Sequence, residues 1–172
     1  MNPEEALLEI AEIAIATIGF AGLMSALRPK SSEAADAMHR LRLRLMVEGS
    51  ASAIVFAFLP FVLSGPFESP RIWAIGSGIL ALTSPIHVGS VYVRQKRIFG
   101  STLLRETILF DSSVVIAALA VEAVLIANWL GLFFEPRFAA YLVGALLPMG
   151  VAVAMFIRAI FAADAHDRGL SL

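Results

Sequence analysis

Five stretches of almost uninterrupted apolar residues, separated by short polar segments, run along the chain. Each is close to the roughly 20 residues that a helix needs to cross a hydrocarbon layer of about 30 Å. The segments between them carry the Gly, Pro and Ser residues that end one helix and start the next. The pattern predicts an all-α polytopic transmembrane bundle in one domain, residues 1–172, with spans at about 6–27, 45–64, 72–93, 108–132 and 138–163.

Helix-start signals refine the ends of these spans. Asn2 is a favourable N-cap, and Pro3 suits the first turn of a helix. The second helix is expected to begin near Ser32, well before its apolar span, because Leu41 and Leu45 continue its helical spacing. This extension is expected to project into the cytoplasm.

The distribution of Lys and Arg predicts the orientation of the bundle. Segments 28–44 and 94–105 and the carboxyl-terminal part hold five, four and two of the 13 Lys and Arg residues. Five spans place all of them on one side, which the positive-inside rule makes cytoplasmic, with the amino terminus outside. Trp73, Trp129 and Tyr141 are expected at the outer membrane boundary, where aromatic residues with a polar tip are enriched.

Composition supports a membrane environment and excludes several kinds of site. Apolar residues make up 59% of the 172 residues and charged residues 16%, with a mean hydropathy of +0.83. A soluble domain has about 45–50% apolar and about 25% charged residues. The absence of cysteine excludes disulfides, thiolate metal sites and cysteine nucleophiles. The net charge of −1 provides no basic field, so no nucleic-acid partner is expected.

Ionisable residues inside the predicted spans are the main functional candidates, because a charge at the centre of a membrane helix costs roughly 2.5–3.5 kcal/mol. On the first helix, Glu5, Glu9 and Glu12 share one face, which continues through small residues that let another helix approach closely. On the fourth helix, Asp111 and Glu122 also share a face.

Glu12 and Glu122 are expected at similar depth in the outer half of the membrane. With Glu9 and Asn128 nearer the surface, they form a candidate cation or proton site. Two close carboxylates share a proton readily, and oxygen ligands favour hard cations such as Na⁺, Ca²⁺ or Mg²⁺. The alternative is a pair of protonated glutamates that hold the helices together by a hydrogen bond.

A second polar group is predicted near the cytoplasmic side, made up of Glu48, Ser84, His87, Asp111 and Arg158. One interpretation is a charge-neutral network in which Arg158 pairs with Asp111 or Glu48, since buried charges need partners. The other is a polar vestibule in which His87 relays or gates protons, because imidazole titrates near neutral pH.

Basic residues flank the spans on the predicted cytoplasmic side. They are Arg40, Arg42, Arg44, Arg94, Lys96 and Arg97. These side chains are expected to face lipid, where they fix the topology and contact anionic headgroups. A docking face for a protein or a nucleic acid is the alternative.

Two further patterns concern the architecture. Phe67–Arg71 resembles Phe134–Arg137, so hairpins 32–93 and 101–163 are a candidate internal repeat, unless similar helix-start chemistry arose twice. Three prolines lie within spans and are expected to kink them, as packing features or as hinges. Pro60, Pro85 and Pro148 free the carbonyls of Phe56, Ala81 and Gly144.

Catalytic signatures are missing from the sequence. It contains no Walker loop, dinucleotide fingerprint, His-Glu-x-x-His motif or Gly-x-Ser-x-Gly elbow. Its three histidines, His39, His87 and His166, lie far apart. We therefore expect no enzymatic activity and no cofactor, and a metal ion stays an open question.

Three segments, Ala11–Ala14, Gly19–Gly22 and Arg40–Arg44, resemble uncharacterised small multispan proteins of the bacterial inner membrane. The resemblance implies a location and no particular activity. The carboxylate faces of the first and fourth helices, with small-residue faces for association, favour a homo-oligomer that forms an ion or proton pathway. The pathway is expected between subunits, because five helices enclose little space. The alternative is a non-transporting accessory subunit of a larger membrane complex. Expected partners are membrane lipids and either further copies of the chain or that complex.

Overall fold

The computed structural model describes residues 2–27, 33–65, 71–99, 105–132 and 137–167. This part of the chain is all-helical, which confirms the all-α class, and each predicted span overlaps one helix. The five helices are α1 (Pro3–Ala26), α2 (Glu33–Leu63), α3 (Arg71–Phe99), α4 (Arg105–Trp129) and α5 (Arg137–Asp167).

Four of these helices are long and apolar enough to cross a membrane. The stretches are Pro3–Ala26, His39–Leu63, Arg71–Ser90 and Arg137–Ile157. Within the residues searched, α4 contributes a shorter apolar stretch, Val115–Trp129. Large apolar side chains cover much of the outside of the bundle, among them Ile15, Val62 and Ile86, which are exposed. Such a surface is typical of a multi-pass membrane protein, whose outer face meets hydrocarbon.

The start of α1 follows from its first residues. The Asn2 side chain accepts a hydrogen bond of 3.2 Å from the backbone N–H of Glu4, and Pro3 lies in the first turn. This cap satisfies one of the N–H groups that every helix start leaves without a partner. The predicted beginning of α1 is confirmed.

α5 lies at the centre of the bundle, because it packs against each of the other four helices. α1 packs on α2 and α5, whereas α4 packs on α3 and α5. α2 and α3 also touch each other. In the described part of the chain, α1 therefore meets neither α3 nor α4.

A glycine determines how closely α2 and α5 approach. A Cβ atom at Gly49 would lie 2.7 Å from the carbonyl oxygen of Pro148 and 3.3 Å from the Cβ atom of Ala152. Only glycine fits this position without a shift of one helix. The two backbones are thus nearly in contact, as small residues allow in membrane bundles.

Tyr141 is fully buried in the core of the bundle. Its place at the outer membrane boundary stays a prediction, because burial between helices does not fix depth in a membrane. Its ring covers Gly76, where a Cβ atom would lie 2.7 Å from the ring. Its hydroxyl donates a hydrogen bond to the carbonyl of Phe56 on α2, the carbonyl that Pro60 frees. The polar tip of this tyrosine thus has an acceptor inside the bundle.

The amino-terminal part of α2 extends beyond its apolar span, as predicted. The helix begins at Glu33, and Leu41 and Leu45 are buried in a cluster with Ala21 of α1 and Met155 of α5. The extension is thus part of the packed bundle. The candidate repeat stays a prediction, because segments 66–70 and 133–136 lie outside the described residues.

Candidate functional site

The predicted acidic face of α1 points away from the rest of the chain. The opposite face, with Leu7, Ile10 and Ala14, is buried in the core. All the positions of the acidic face are exposed, namely Glu5, Glu9, Glu12, Ala16, Gly19, Leu23 and Ala26. The sequence correctly groups these residues on one face, but no helix in the described part of the chain covers that face.

Glu12 and Glu122 do not come together within one chain. α1 and α4 do not pack against each other in the described residues. Glu12 is exposed, whereas Glu122 is partly buried beside α3. The predicted carboxylate pair is therefore wrong for a single subunit, because equal depth along two helices does not make those helices neighbours.

Glu122 instead has a serine partner. A side-chain hydrogen bond joins its carboxylate to the hydroxyl of Ser84 on α3, and both side chains are partly buried. The prediction placed Ser84 in the cytoplasmic-side group with Glu48. Ser77, two turns before Ser84 on α3, contacts Asn128 on α4. Because α3 and α4 are antiparallel, Ser84 then lies beside Glu122, which precedes Asn128 along α4.

Asn128 is fully buried and connects three helices. Its Nδ2 donates to Oγ of Ser77 at 2.8 Å and to the backbone carbonyl of Arg137 at 3.0 Å. These bonds tie the end of α4 to α3 and to the first residue of α5. Its Oδ1 is buried and has no hydrogen-bond partner among the described atoms. Within one subunit, Asn128 is thus a core connector and does not lie beside Glu9, as the predicted site required.

Glu48 forms an ion pair with partners other than the predicted one. Its Oε1 accepts hydrogen bonds of 2.6 Å from Nε of Arg44 and from Nη1 of Arg94. Nη2 of Arg94 also donates to Oγ of Ser90 at 3.0 Å. Arg94, predicted to face lipid from a loop, lies on a helix and bridges α3 to α2. The predicted pairing with Arg158 is not tested, because that side chain lies outside the described residues.

The remaining members of the predicted cytoplasmic-side group are only partly described. His87 is partly buried, and its backbone carbonyl accepts a hydrogen bond of 2.8 Å from Ser90. Asp111 and Arg158 lie on α4 and α5, with side chains outside the described residues. A proton relay through His87 stays a prediction.

The basic segments are helical over most of their length. Arg40, Arg42 and Arg44 lie on α2, and Arg94, Lys96 and Arg97 lie on α3. Arg40, Arg44 and Arg97 are exposed, Arg42 and Arg94 are partly buried, and the side chain of Lys96 lies outside the described residues. A helix holds such charges at fixed spacing, which a loop does not.

Two serines form hydrogen bonds that the sequence did not predict. Ser77 bonds to Asn128, and Ser90 bonds to Arg94. Ser77 lies between Gly76 and Gly78, and a single polar residue between two glycines in an apolar helix indicates a close helix contact. Trp129 covers that point, since a Cβ atom at Gly78 would lie 2.9 Å from its ring. Ser90 precedes Arg94 by four residues, a spacing at which helical side chains interact.

No group of three or more His, Cys, Asp or Glu side chains that suits a metal ion occurs in the described parts of the chain. A comparison with protein-family models, with curated proteins and with solved structures finds no significant match. A functional proposal therefore rests on the residues of this chain alone.

Proposed function

We propose that this chain is a subunit of a homo-oligomeric membrane protein, in which cations or protons pass between subunits along the acidic face of α1. The observation that supports the proposal is the exposure of that entire face, from Glu5 to Ala26, in the single chain. Glu9 and Glu12 line the proposed pathway.

Exposed carboxylates on a membrane helix favour association. Glu9 and Glu12 lie on a helix apolar enough to cross a membrane. A charged group facing hydrocarbon costs roughly 2.5–3.5 kcal/mol near the helix centre. When the α1 faces of several subunits meet, the carboxylates share a hydrated space and this cost falls. Gly19 leaves room for the approach, since no atom lies within 4 Å of a Cβ atom placed there.

Two polar side chains of the predicted site, those of Glu122 and Asn128, have hydrogen-bond partners within one subunit. Glu122 bonds to Ser84, and Asn128 bonds to Ser77. These contacts join α3 and α4, so we assign Glu122 and Asn128 a structural role. The predicted site also included Glu122 and Asn128, whereas the pathway proposed here uses only the carboxylates of α1.

The proposal includes five membrane crossings. α4 has 25 residues, and a helix of that length measures about 37 Å, enough for a hydrocarbon layer of about 30 Å. With five crossings the main groups of Lys and Arg share one side, which the positive-inside rule places in the cytoplasm. The amino terminus then lies outside, and a bacterial inner membrane is the proposed location.

Flux measurements on the purified protein in liposomes test the pathway. We expect H⁺ or Na⁺ flux down an imposed gradient and a reduction of about tenfold or more in Glu12→Gln. Glu4→Gln is the matched control, because it removes the same exposed charge from α1 away from the acidic face. Equal flux in both variants, or none above empty liposomes, contradicts the pathway.

Cross-linking tests the interface directly, because the chain has no cysteine of its own. Ala16→Cys places a thiol on the acidic face, and Ile15→Cys places one at the same depth, about 100° around the helix. Both positions are exposed. We expect an oxidised dimer in membranes from Ala16→Cys and much less from Ile15→Cys. Equal yields at both positions argue against this interface.

The competing function, an accessory subunit, has a different experimental outcome. In that case the acidic face contacts another protein, so the purified chain shows no flux under any gradient or voltage. A larger assembly of defined composition is then isolated with the chain from native membranes. Cross-links between two copies through Ala16→Cys do not form in that assembly.

A further inference from the structure

Two guanidinium groups converge on one carboxylate oxygen at one end of the bundle. Nε of Arg44 and Nη1 of Arg94 each lie 2.6 Å from Oε1 of Glu48, so the two nitrogens are within about 5 Å of each other. Like charges at that distance repel each other unless anions lie between or beside them. The arrangement connects α2 to α3 and presents two arginines side by side.

The cluster carries more positive than negative charge. Among the described ion pairs, Glu48 is the only carboxylate bound to these two arginines. Arg40, one turn before Arg44, and Arg97, one turn after Arg94, add further exposed positive charges. Among the described side chains, the positive charges of this cluster therefore outnumber the negative ones.

The arginines are more accessible than the carboxylate that holds them. The side chain of Arg44 is 61% exposed and that of Arg94 31%, against 24% for Glu48. Arg44 uses Nε for its bond to Glu48, and Arg94 uses one donor on each terminal nitrogen. A guanidinium has five N–H donors, so the described hydrogen bonds leave donors on both side chains for a further acceptor.

The cluster lies where the apolar surface of the bundle ends. The apolar sequence of α3 continues to Val93, and Arg94 follows it directly. From the cluster towards the hydrocarbon, exposed apolar side chains continue along both helices, with Val47 and Val55 on α2 and Ile86 on α3. A phospholipid has the same order of parts, with acyl chains followed by a phosphate.

We propose that Arg44 and Arg94 form a binding site for the phosphate of an anionic phospholipid, whose acyl chains lie along the exposed apolar strip of α2 and α3. Glu48 is a positioning residue that holds the two guanidiniums side by side. The phosphate oxygens accept hydrogen bonds from both arginines and supply the missing negative charge. A free phosphate ion has no part that contacts the apolar strip, which favours the lipid.

Native mass spectrometry of the full chain in mixed micelles tests the site. The probes are phosphatidylglycerol and phosphatidylcholine with identical acyl chains. We expect the wild-type chain to retain one phosphatidylglycerol in preference to phosphatidylcholine. Arg44→Gln should lower this preference about fivefold, the effect of one basic residue near an anionic headgroup. The Arg44→Gln/Arg94→Gln double variant should lose it.

Arg71→Gln is the matched control, because it removes an exposed arginine from the opposite end of α3. It should keep the wild-type preference. Inorganic phosphate added to the mixed micelles that contain phosphatidylglycerol separates the two sources of phosphate. Millimolar phosphate should not displace phosphatidylglycerol, and displacement by it overturns the lipid assignment. If the double variant fails to fold, the lipid preference of Arg44→Gln alone tests the site, because Arg44 is exposed and its substitution should leave the fold intact.

Equal retention of the two lipids by the wild-type chain overturns the proposal. An unchanged preference in Arg44→Gln also overturns it. None of these outcomes depends on flux, so the lipid site and the proposed pathway are tested separately.

Discussion

The hydroxyl of Tyr141 donates its hydrogen bond to the carbonyl of Phe56, the one carbonyl of α2 that Pro60 leaves without its helical donor. In a membrane such a carbonyl finds no water to bond with, and an unsatisfied group there costs several kcal/mol. Tyr141 supplies the donor from α5. The carbonyl that α2 leaves without a donor therefore forms a hydrogen bond that joins α2 to α5.

Tyr141→Phe should lower the free energy of unfolding by about 1–3 kcal/mol, because it leaves the buried carbonyl without a donor and keeps the ring. Reversible unfolding in mixed micelles, followed by circular dichroism, measures the change. In a Pro60→Ala background the backbone N–H at position 60 bonds to the Phe56 carbonyl, so the same substitution should cost less. An equal cost in both backgrounds contradicts this role of Tyr141.

Gly49→Ala tests the contact between α2 and α5. The added Cβ atom meets the Pro148 carbonyl oxygen at 2.7 Å, and a backbone atom cannot rotate away, so we expect a loss of about 1–3 kcal/mol. Gly89→Ala is the control, since no atom lies within 4 Å of a Cβ atom there. It should be neutral or stabilising by up to about 1 kcal/mol in the same assay.

Asn128→Leu should destabilise the bundle by about 2–3 kcal/mol, because it removes both hydrogen bonds from the buried amide. Ser77→Ala removes only the bond to α3 and should cost about 1 kcal/mol. Hydrogen exchange at the start of α5 gives a second measure, and it should rise in Asn128→Leu but not in Ser77→Ala. Similar exchange in both variants argues against a contribution from the bond to Arg137.

Glu122→Gln should change stability by less than about 0.5 kcal/mol, because the amide oxygen still accepts a hydrogen bond from Ser84. Glu122→Leu removes that acceptor and should cost about 1 kcal/mol. Liposome flux should stay at the wild-type level in Glu122→Gln. A loss as large as that in Glu12→Gln would place the carboxylate of Glu122 in the pathway.

The helices were predictable because their signals are local. Asn2 caps α1 through its own side chain, and α2 begins at Glu33, next to the predicted Ser32. The free carbonyl at Phe56 also follows from the chain alone, because Pro60 lacks an N–H. Its donor was not predictable, since that depends on how α5 lies against α2, a tertiary contact.

The site was predictable only in part. Helical periodicity groups Glu9 and Glu12 on one face, but it does not say whether that face turns inwards or outwards. In a soluble protein the polar face of a helix turns to the solvent. A membrane helix is largely apolar on all sides, so its sequence pattern does not show which face is buried. The pairing of Glu122 depends on which helices are neighbours, and α4 lies beside α3 and not beside α1.

α5, the helix that all the others contact, is also the last of the five along the chain. During synthesis, α1 to α4 enter the membrane before their common neighbour exists. The contacts of α1 with α2 and of α3 with α4 form without it, whereas Gly49 and Gly76 stay uncovered until α5 arrives. A chain interrupted before Arg137 therefore leaves the surfaces around Gly49 and Gly76 without the α5 side chains and backbone that cover them.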